Sequence, residues 1–143
     1  MNPIKHTLLV ALIAAGSAFA QPAPNDALFQ QLGAQPGLVK LMDDFVPRLI
    51  ADPRMNPFFK DVDQKHLKEQ LVAQFCLVSG GPCKLKGPDM KKAHSEMDIT
   101  KSNFNALVEV LQQSMDVTGI AFGTQNRLLA QLAPMHRDIV NTQ

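Results

Sequence analysis

The chain has 143 residues, which is enough for one domain with a hydrophobic core and too few for two ordinary domains. Its 14 Lys and Arg residues nearly balance its 13 Asp and Glu residues, and loss of a leader that contains Lys5 would leave 13 of each. Without a basic excess, we expect no recognition of nucleic acid or of an anionic membrane surface.

Residues 1–20 have the pattern of a secretory signal. Lys5 precedes an apolar run from Leu8 to Ala15, and Ala18-Phe19-Ala20 supplies the small-x-small pattern of a cleavage site. The run is too short to span a bilayer, so we expect an exported, periplasmic protein without a membrane anchor after cleavage. A retained anchor is the alternative. The Pro-rich residues 21–26 predict a flexible lead-in, and a single domain is expected over residues 27–141.

Beyond residue 26, apolar residues recur at helical spacing and Gly or Pro residues mark the breaks between them. No segment of convincing length alternates between apolar and polar residues, so the fold class is predicted to be all-α. Four apolar stripes define the main helices: Leu38, Met42, Phe45 and Leu49; Leu67, Leu71, Phe75 and Val78; Phe104, Leu107, Val108, Leu111 and Met115; and Leu128, Leu132, Met135 and Ile139.

Several residues predict where these helices begin, end or bend. Pro36-Gly37 should precede the first long helix, and Pro47 should bend or split it. Asp63 and Thr100 are suited to cap the N-termini of the next two long helices. Pro88-Asp89 should form the first turn of a short helix between them.

Most familiar cofactor and enzyme motifs are missing from the sequence. It contains no Cys-x-x-Cys-His for covalent haem, no zinc-ligand spacing, no Gly-rich phosphate loop and no Gly-x-Ser-x-Gly elbow. His94 lies on the short helix, and a lone helical His is ordinarily a surface or core residue more often than a ligand. Spacing alone therefore makes His94 a modest candidate.

A set of local strings along the chain gives His94 its context. Taken together they resemble the truncated haemoglobins, and most closely the first group of that family, over about residues 27–141. The strings are Leu28-Phe29-Gln30-Gln31-Leu32-Gly33, Asp43-Asp44-Phe45, Leu49-Ile50-Ala51-Asp52-Pro53-Arg54, Asn56-Pro57-Phe58-Phe59, Gly80-Gly81-Pro82, Gly87, Met90-Lys91-Lys92-Ala93-His94, Ile99-Thr100, Phe104, Leu132-Ala133-Pro134 and Arg137-Asp138-Ile139-Val140.

The resemblance implies a truncated globin in which helices pack two over two around one non-covalent haem b (iron protoporphyrin IX). His94 is then the proximal iron ligand, and Phe59 packs on the haem face. A neutral imidazole suits iron, and a second-shell acceptor, which the sequence does not identify, would fix its tautomer. Ordinary core packing is the alternative for the remaining implied pocket residues, which are Phe45, Leu67, Leu71 and Phe75 on the distal side and Met90, Ile99 and Phe104 on the proximal side and rim.

The distal side departs from the family pattern. Val46 and Leu71 stand where many first-group members carry Tyr and Gln, and Leu67 stands where many globins place a distal His. Gln70 and Gln74 are the nearest polar side chains, and Gln74 is expected on the solvated face. Because a donor stabilises bound oxygen by about 1–3 kcal/mol, its loss predicts weaker preference for oxygen over carbon monoxide and faster haem oxidation. Oxygen storage or transport is disfavoured for the same reason.

The other histidines and the two cysteines are weighed separately. His66 is expected to face solvent or to lie at the haem edge, and His136 is expected at the surface. Cys76 and Cys83 flank a segment that contains Gly80-Gly81, so the chain can turn back and bring the sulfurs together. In an exported protein a disulfide is favoured, with a contribution of about 2–3 kcal/mol. Free thiols are the alternative.

Three functions remain open at this point. The leading one is a haem-binding protein for diatomic gases (oxygen, nitric oxide or carbon monoxide), with an electron donor as a further candidate partner. The second is an enzyme that detoxifies nitric oxide or peroxide at the haem, which needs polar distal assistance. The third is a haem-free helical interaction module.

Overall fold

The computed structural model describes residues 25–142, so the predicted leader and most of the predicted lead-in lie outside the described residues. Within that range the chain is all-helical, as predicted, apart from an isolated bridge between Thr100 and Thr142. The helices are α1 (Ala27–Gln31), α2 (Ala34–Ala51), α3 (Asn56–Phe59), α4 (Gln64–Val78), α5 (Met90–His94), α6 (Lys101–Val117) and α7 (Phe122–Leu132), followed by a 3₁₀ turn (Ala133–Met135) and α8 (His136–Ile139).

Two of the predicted N-caps are confirmed. The Asp63 carboxylate accepts a hydrogen bond from the backbone N–H of His66 at 3.1 Å and so begins α4. Thr100 and Asn103 form a reciprocal capping box at the start of α6, in which each side chain accepts from the backbone N–H of the other residue. Both caps are local contacts, which explains why the sequence predicted them.

The Pro residues act differently from the prediction. α2 begins at Ala34, so Pro36-Gly37 lies inside its first turn instead of before it. Pro36 is tolerated there because the first N–H groups of a helix have no intrahelical acceptor. Pro47 does not split α2, which continues to Ala51. Pro134, in contrast, falls in the 3₁₀ turn that divides the predicted last helix into α7 and α8.

α2 is the centre of the packing and lies against both α4 and α6, whereas α5 packs mainly against α8. An i, i+4 ion pair on α2 joins Arg48 Nε to Asp44 Oδ1 at 2.5 Å, and it lowers the pKa of Asp44 below its ordinary value of 3.8. The main core contains Phe29, Leu32, Leu38, Leu41, Met42, Phe45, Leu49, Met55, Val72, Phe75, Cys76, Ala106, Val110, Leu111, Met115 and Leu128.

The turn after α4 contains the predicted disulfide between Cys76 and Cys83, so the free-thiol alternative is wrong. Gly80 has a φ of +87°, and a Cβ added there would lie 2.1 Å from the carbonyl oxygen of Asn25. Only glycine fits this left-handed and crowded position. The disulfide and this turn fix the path of the chain from α4 toward α5.

No helix among residues 25–142 is both long enough and apolar enough to cross a membrane.

Candidate cofactor site

The candidate iron ligand, His94, is the last residue of α5. The helix begins after Asp89, whose carboxylate accepts a hydrogen bond from the backbone N–H of Lys92 at 2.8 Å. Pro88-Asp89 therefore precedes the helix instead of forming its first turn as predicted, since the Asp89 side chain serves as the N-cap. His94 itself is half-buried.

The imidazole of His94 is oriented by its own helix. Its Nδ1 lies 2.7 Å from the carbonyl oxygen of Met90, one turn earlier. Because a carbonyl can only accept, Nδ1 donates this hydrogen bond, and in the neutral form of the imidazole the lone pair then lies on Nε2. Nε2 makes no hydrogen bond to any residue in the described range. The ring therefore presents a neutral nitrogen that suits a metal, and the acceptor that sequence analysis did not identify is the Met90 carbonyl.

We call α4 and the α5–α8 pair the two walls of the candidate site, because they carry His94 and several of the predicted pocket residues. α5 and α8 pack on each other, while α4 and α5 are not a closely packed pair. The two walls are in contact where Gln74 Nε2 of α4 lies 3.4 Å from Met135 Sδ, beside the start of α8. One stripe of α4 at i, i+4 and i+7 spacing carries Leu67, Leu71 and Gln74.

The residues predicted for the pocket differ in burial and surroundings. Phe45 and Phe75 belong to the main core, so core packing accounts for much of their burial. Val46 and Ile99 are also buried but lie outside that core cluster. The remaining predicted pocket residues are half-buried: Phe59, Leu67, Gln70, Leu71, Met90 and Phe104.

Two predictions about polar residues are wrong. Gln74 is 7% exposed instead of solvated, and its Oε1 has no hydrogen-bond partner among the described residues. His136 is half-buried instead of a surface residue, because its ring packs edge-on against Phe104 with centroids 5.0 Å apart. Its Nε2 is likewise buried without a described partner. His66 is exposed, as expected.

This arrangement fits a haem. His94 offers one ring nitrogen without a hydrogen-bond partner among the described residues, and α4, α5 and α6 carry the half-buried apolar residues Leu67, Leu71, Met90 and Phe104. The unpaired polar atoms of Gln74 and His136 lie in this same region, with Met135 next to both. A surface cavity of about 320 Å³ between α2 and α4 is separate, because it is lined by a different stripe of α4 that includes Lys65, Lys68 and Val72.

Comparison with known proteins gives one consistent family. The bacterial-like globin family model matches residues 27–141. The chain is 27% identical over 120 residues to a group 1 truncated hemoglobin, GlbN, of Mycolicibacterium paratuberculosis, covering 84% of this chain and 86% of the relative. It is 28% identical over 135 residues to the group 1 truncated hemoglobin LI410 of Chlamydomonas moewusii, covering 90% and 78%.

A solved structure shows a similar fold. The crystal structure of truncated hemoglobin from Tetrahymena pyriformis in its Fe(III) form superimposes with a TM-score of 0.77 at 24% identity, covering 80% of this chain and 98% of that one.

Proposed function

Because the chain belongs to the bacterial-like globin family, we propose that it binds one haem b through His94 and takes up small diatomic gases. The observation that carries this proposal is the 2.7 Å contact between His94 Nδ1 and the Met90 carbonyl, which leaves Nε2 available to the metal. Gas binding by a globin needs one protein ligand on the iron and one open position opposite it.

The residues around His94 prepare it for this role. His94 would hold the haem, which would supply the iron that takes up a gas. The Met90 carbonyl fixes the tautomer of His94 and, by accepting its proton partly, increases the basicity of Nε2. Phe104 of α6 and His136 of α8 pack edge to face with ring centroids 5.0 Å apart, so α8 is held against α6.

The distal residues favour weak retention of oxygen. Val46 is fully buried and Leu71 is half-buried, and neither side chain has a hydrogen-bond donor. The nearest amides on α4 belong to Gln70, which is half-buried, and Gln74, whose Nε2 is directed at Met135. We therefore propose fast oxygen dissociation and rapid oxidation of the ferrous protein, so that an external electron donor is needed to restore the ferrous form.

Export to an oxidising compartment, such as the periplasm, is part of the proposal. It is supported by the leader-like residues 1–20 and by the Cys76–Cys83 disulfide, because disulfides persist outside the reducing cytosol. The haem-free interaction module is not favoured, since the tautomer of His94 is set for a metal.

Substitution of the proposed ligand tests the function. His94→Ala should weaken or abolish the Soret band of the purified protein, because the iron loses its protein ligand. His66→Ala is the matched control, since His66 is exposed on α4, and it should leave the band unchanged. The chain has neither Trp nor Tyr, so its own absorbance near 280 nm is minimal and a haem signal stands out. Equal haem retention by both variants would overturn the assignment.

A further inference from the structure

The helix that carries His94 cannot hold its own position. α5 has five residues, none of them buried, and a helix this short is unstable in isolation. Its N-terminal end is capped by Asp89, but Asp89 is exposed and fixes only the first turn. The position of His94, at the opposite end of α5, must therefore be set by contacts from elsewhere in the chain.

Besides the packing of α5 on α8, those contacts come from Asn141, which lies 47 residues further along the chain. Its Nδ2 donates to the carbonyl oxygen of His94 at 2.6 Å, and its Oδ1 accepts from the backbone N–H of Ile99 at 2.8 Å. The backbone N–H groups of Asn141 and Thr142 both donate to the Ile99 carbonyl, at 3.0 and 3.2 Å. The Asn141 side chain thus links the two ends of the segment from His94 to Ile99 by hydrogen bonds.

The segment from His94 to Ile99 needs the hydrogen bonds from Asn141, because its backbone is strained at one residue. Asp98 has a φ of +50°, a left-handed conformation that a residue with a Cβ adopts at some energetic cost. The His94 carbonyl also accepts from the N–H of Met97 at 3.2 Å, so the turn begins directly at the proposed ligand. If the Asn141 amide were removed, relaxation of Asp98 would move the C-terminal end of α5.

We propose that Asn141 is a positioning residue for His94, which sets the height and tilt of the imidazole toward the iron and so the strength of the iron–histidine bond. This inference rests on the proposed function, since it takes His94 as the ligand. A primary amide suits this role, because it offers an N–H donor and a carbonyl acceptor on one small planar group. Asn is the shorter of the two and keeps both contacts under 3 Å.

Asn141→Ala tests the proposal in the haem-loaded protein. In the deoxygenated ferrous form, the iron–histidine stretching band in the resonance Raman spectrum should shift to lower frequency and broaden, because His94 is held less firmly. Haem transfer to an excess of apomyoglobin should become about 10-fold faster, at the lower end of the effect of removing a residue that orients a metal ligand.

Two further variants separate positioning from general stability. Asn141→Asp keeps the acceptor for Ile99 but loses the donor to His94, so it should reproduce the band shift while the turn stays closed. Asn126→Ala, at an exposed position on α7, should change neither measurement. If the Asn141 variants lower only the free energy of unfolding and leave the band in place, the positioning role is wrong. If His94→Ala retains haem and shows the same iron–histidine band as the wild-type protein, His94 is not the ligand and the proposed function fails with it.

Discussion

Among single residues, Gln74 departs furthest from what its position on an amphipathic helix predicts. It is 7% exposed, its Nε2 contacts the Met135 sulfur at 3.4 Å, and its Oε1 has no partner among the described residues. A sulfur is a weak acceptor, and a buried unpaired carbonyl is unfavourable by about 1–3 kcal/mol. Gln74 therefore reduces the stability of the fold, and its amide is directed away from a role as distal donor.

Gln74→Leu should raise the free energy of unfolding by about 1 kcal/mol, because it removes an unpaired buried carbonyl at similar volume. It should leave oxygen dissociation from the ferrous protein unchanged, since the amide already faces Met135. Guanidinium denaturation and stopped-flow spectroscopy measure the two effects.

Two variants serve as controls for this prediction. Gln113→Leu, on the exposed face of α6, should not stabilise the protein. Gln70→Leu should leave oxygen dissociation fast, because an apolar distal side does not depend on either amide. Slow dissociation in the wild-type protein, accelerated by loss of Gln70 or Gln74, would contradict the proposed apolar pocket.

At the level of elements, the turn that follows α4 contains a second glycine, Gly81. Neighbouring side chains, and not a left-handed backbone angle, exclude a Cβ at this position. A Cβ added to Gly81 would lie 2.6 Å from Cys76 Sγ and 2.8 Å from the ring of Phe29. Cys76 is fully buried and Phe29 is part of the core, so neither neighbour can move away freely.

Gly81→Ala should lower the free energy of unfolding by about 1–3 kcal/mol, as overpacking does in a tight core. It should also leave a fraction of the cysteines unpaired, which alkylation and mass spectrometry would detect. Gly123→Ala is the matched control: it lies in the first turn of α7 with nothing within 4 Å of the added Cβ. Because Ala has a higher helix propensity than Gly, Gly123→Ala should stabilise the protein by about 0.5–1 kcal/mol. Equal effects of the two substitutions would argue against the crowded turn.

The elements also show which parts of the fold a sequence can predict. The caps at Asp63 and Thr100 involve side chains and N–H groups three residues apart, so the local sequence specifies them. The roles of Pro36 and Pro134 depend on the position of each within its helix: the first lies in an opening turn, whereas the second divides α7 from α8. Position within a helix is what apolar spacing determines least well.

The candidate site likewise contains residues that the sequence predicts and residues that it does not. His94 could be found because a string of neighbouring residues resembles a family motif. The Met90 carbonyl could not, since every residue has a backbone acceptor and only the three-dimensional turn selects one. Asn141 is 47 residues from His94 in the chain and becomes its neighbour only after α6, α7 and α8 have folded back.

Across the whole molecule, the helix that carries the candidate iron ligand lies outside the hydrophobic core, although α2, α4 and α6 contribute to both the core and the predicted pocket. Core residues come from α1, α2, α4, α6 and α7 and from the Met55 turn, while α5 and α8 contribute none. α5 and α8 pack chiefly on one another and are joined through Asn141. The wall that presents His94 is therefore attached to the rest of the molecule by the Phe104–His136 contact and by hydrogen bonds, without contributing buried core residues of its own.

This division predicts how the protein responds to removal of haem. In the haem-free protein, backbone amides of α5 should exchange with deuterium much faster than in the loaded protein, because a five-residue helix without buried residues then loses the iron–His94 bond. Amides of α2, which supplies six buried residues, should be protected almost equally in both forms and provide the internal control. Hydrogen exchange followed by mass spectrometry resolves the two segments in one experiment. Equal protection of α5 with and without haem would mean that Asp89, Asn141 and the packing against α8 suffice to hold His94 in place.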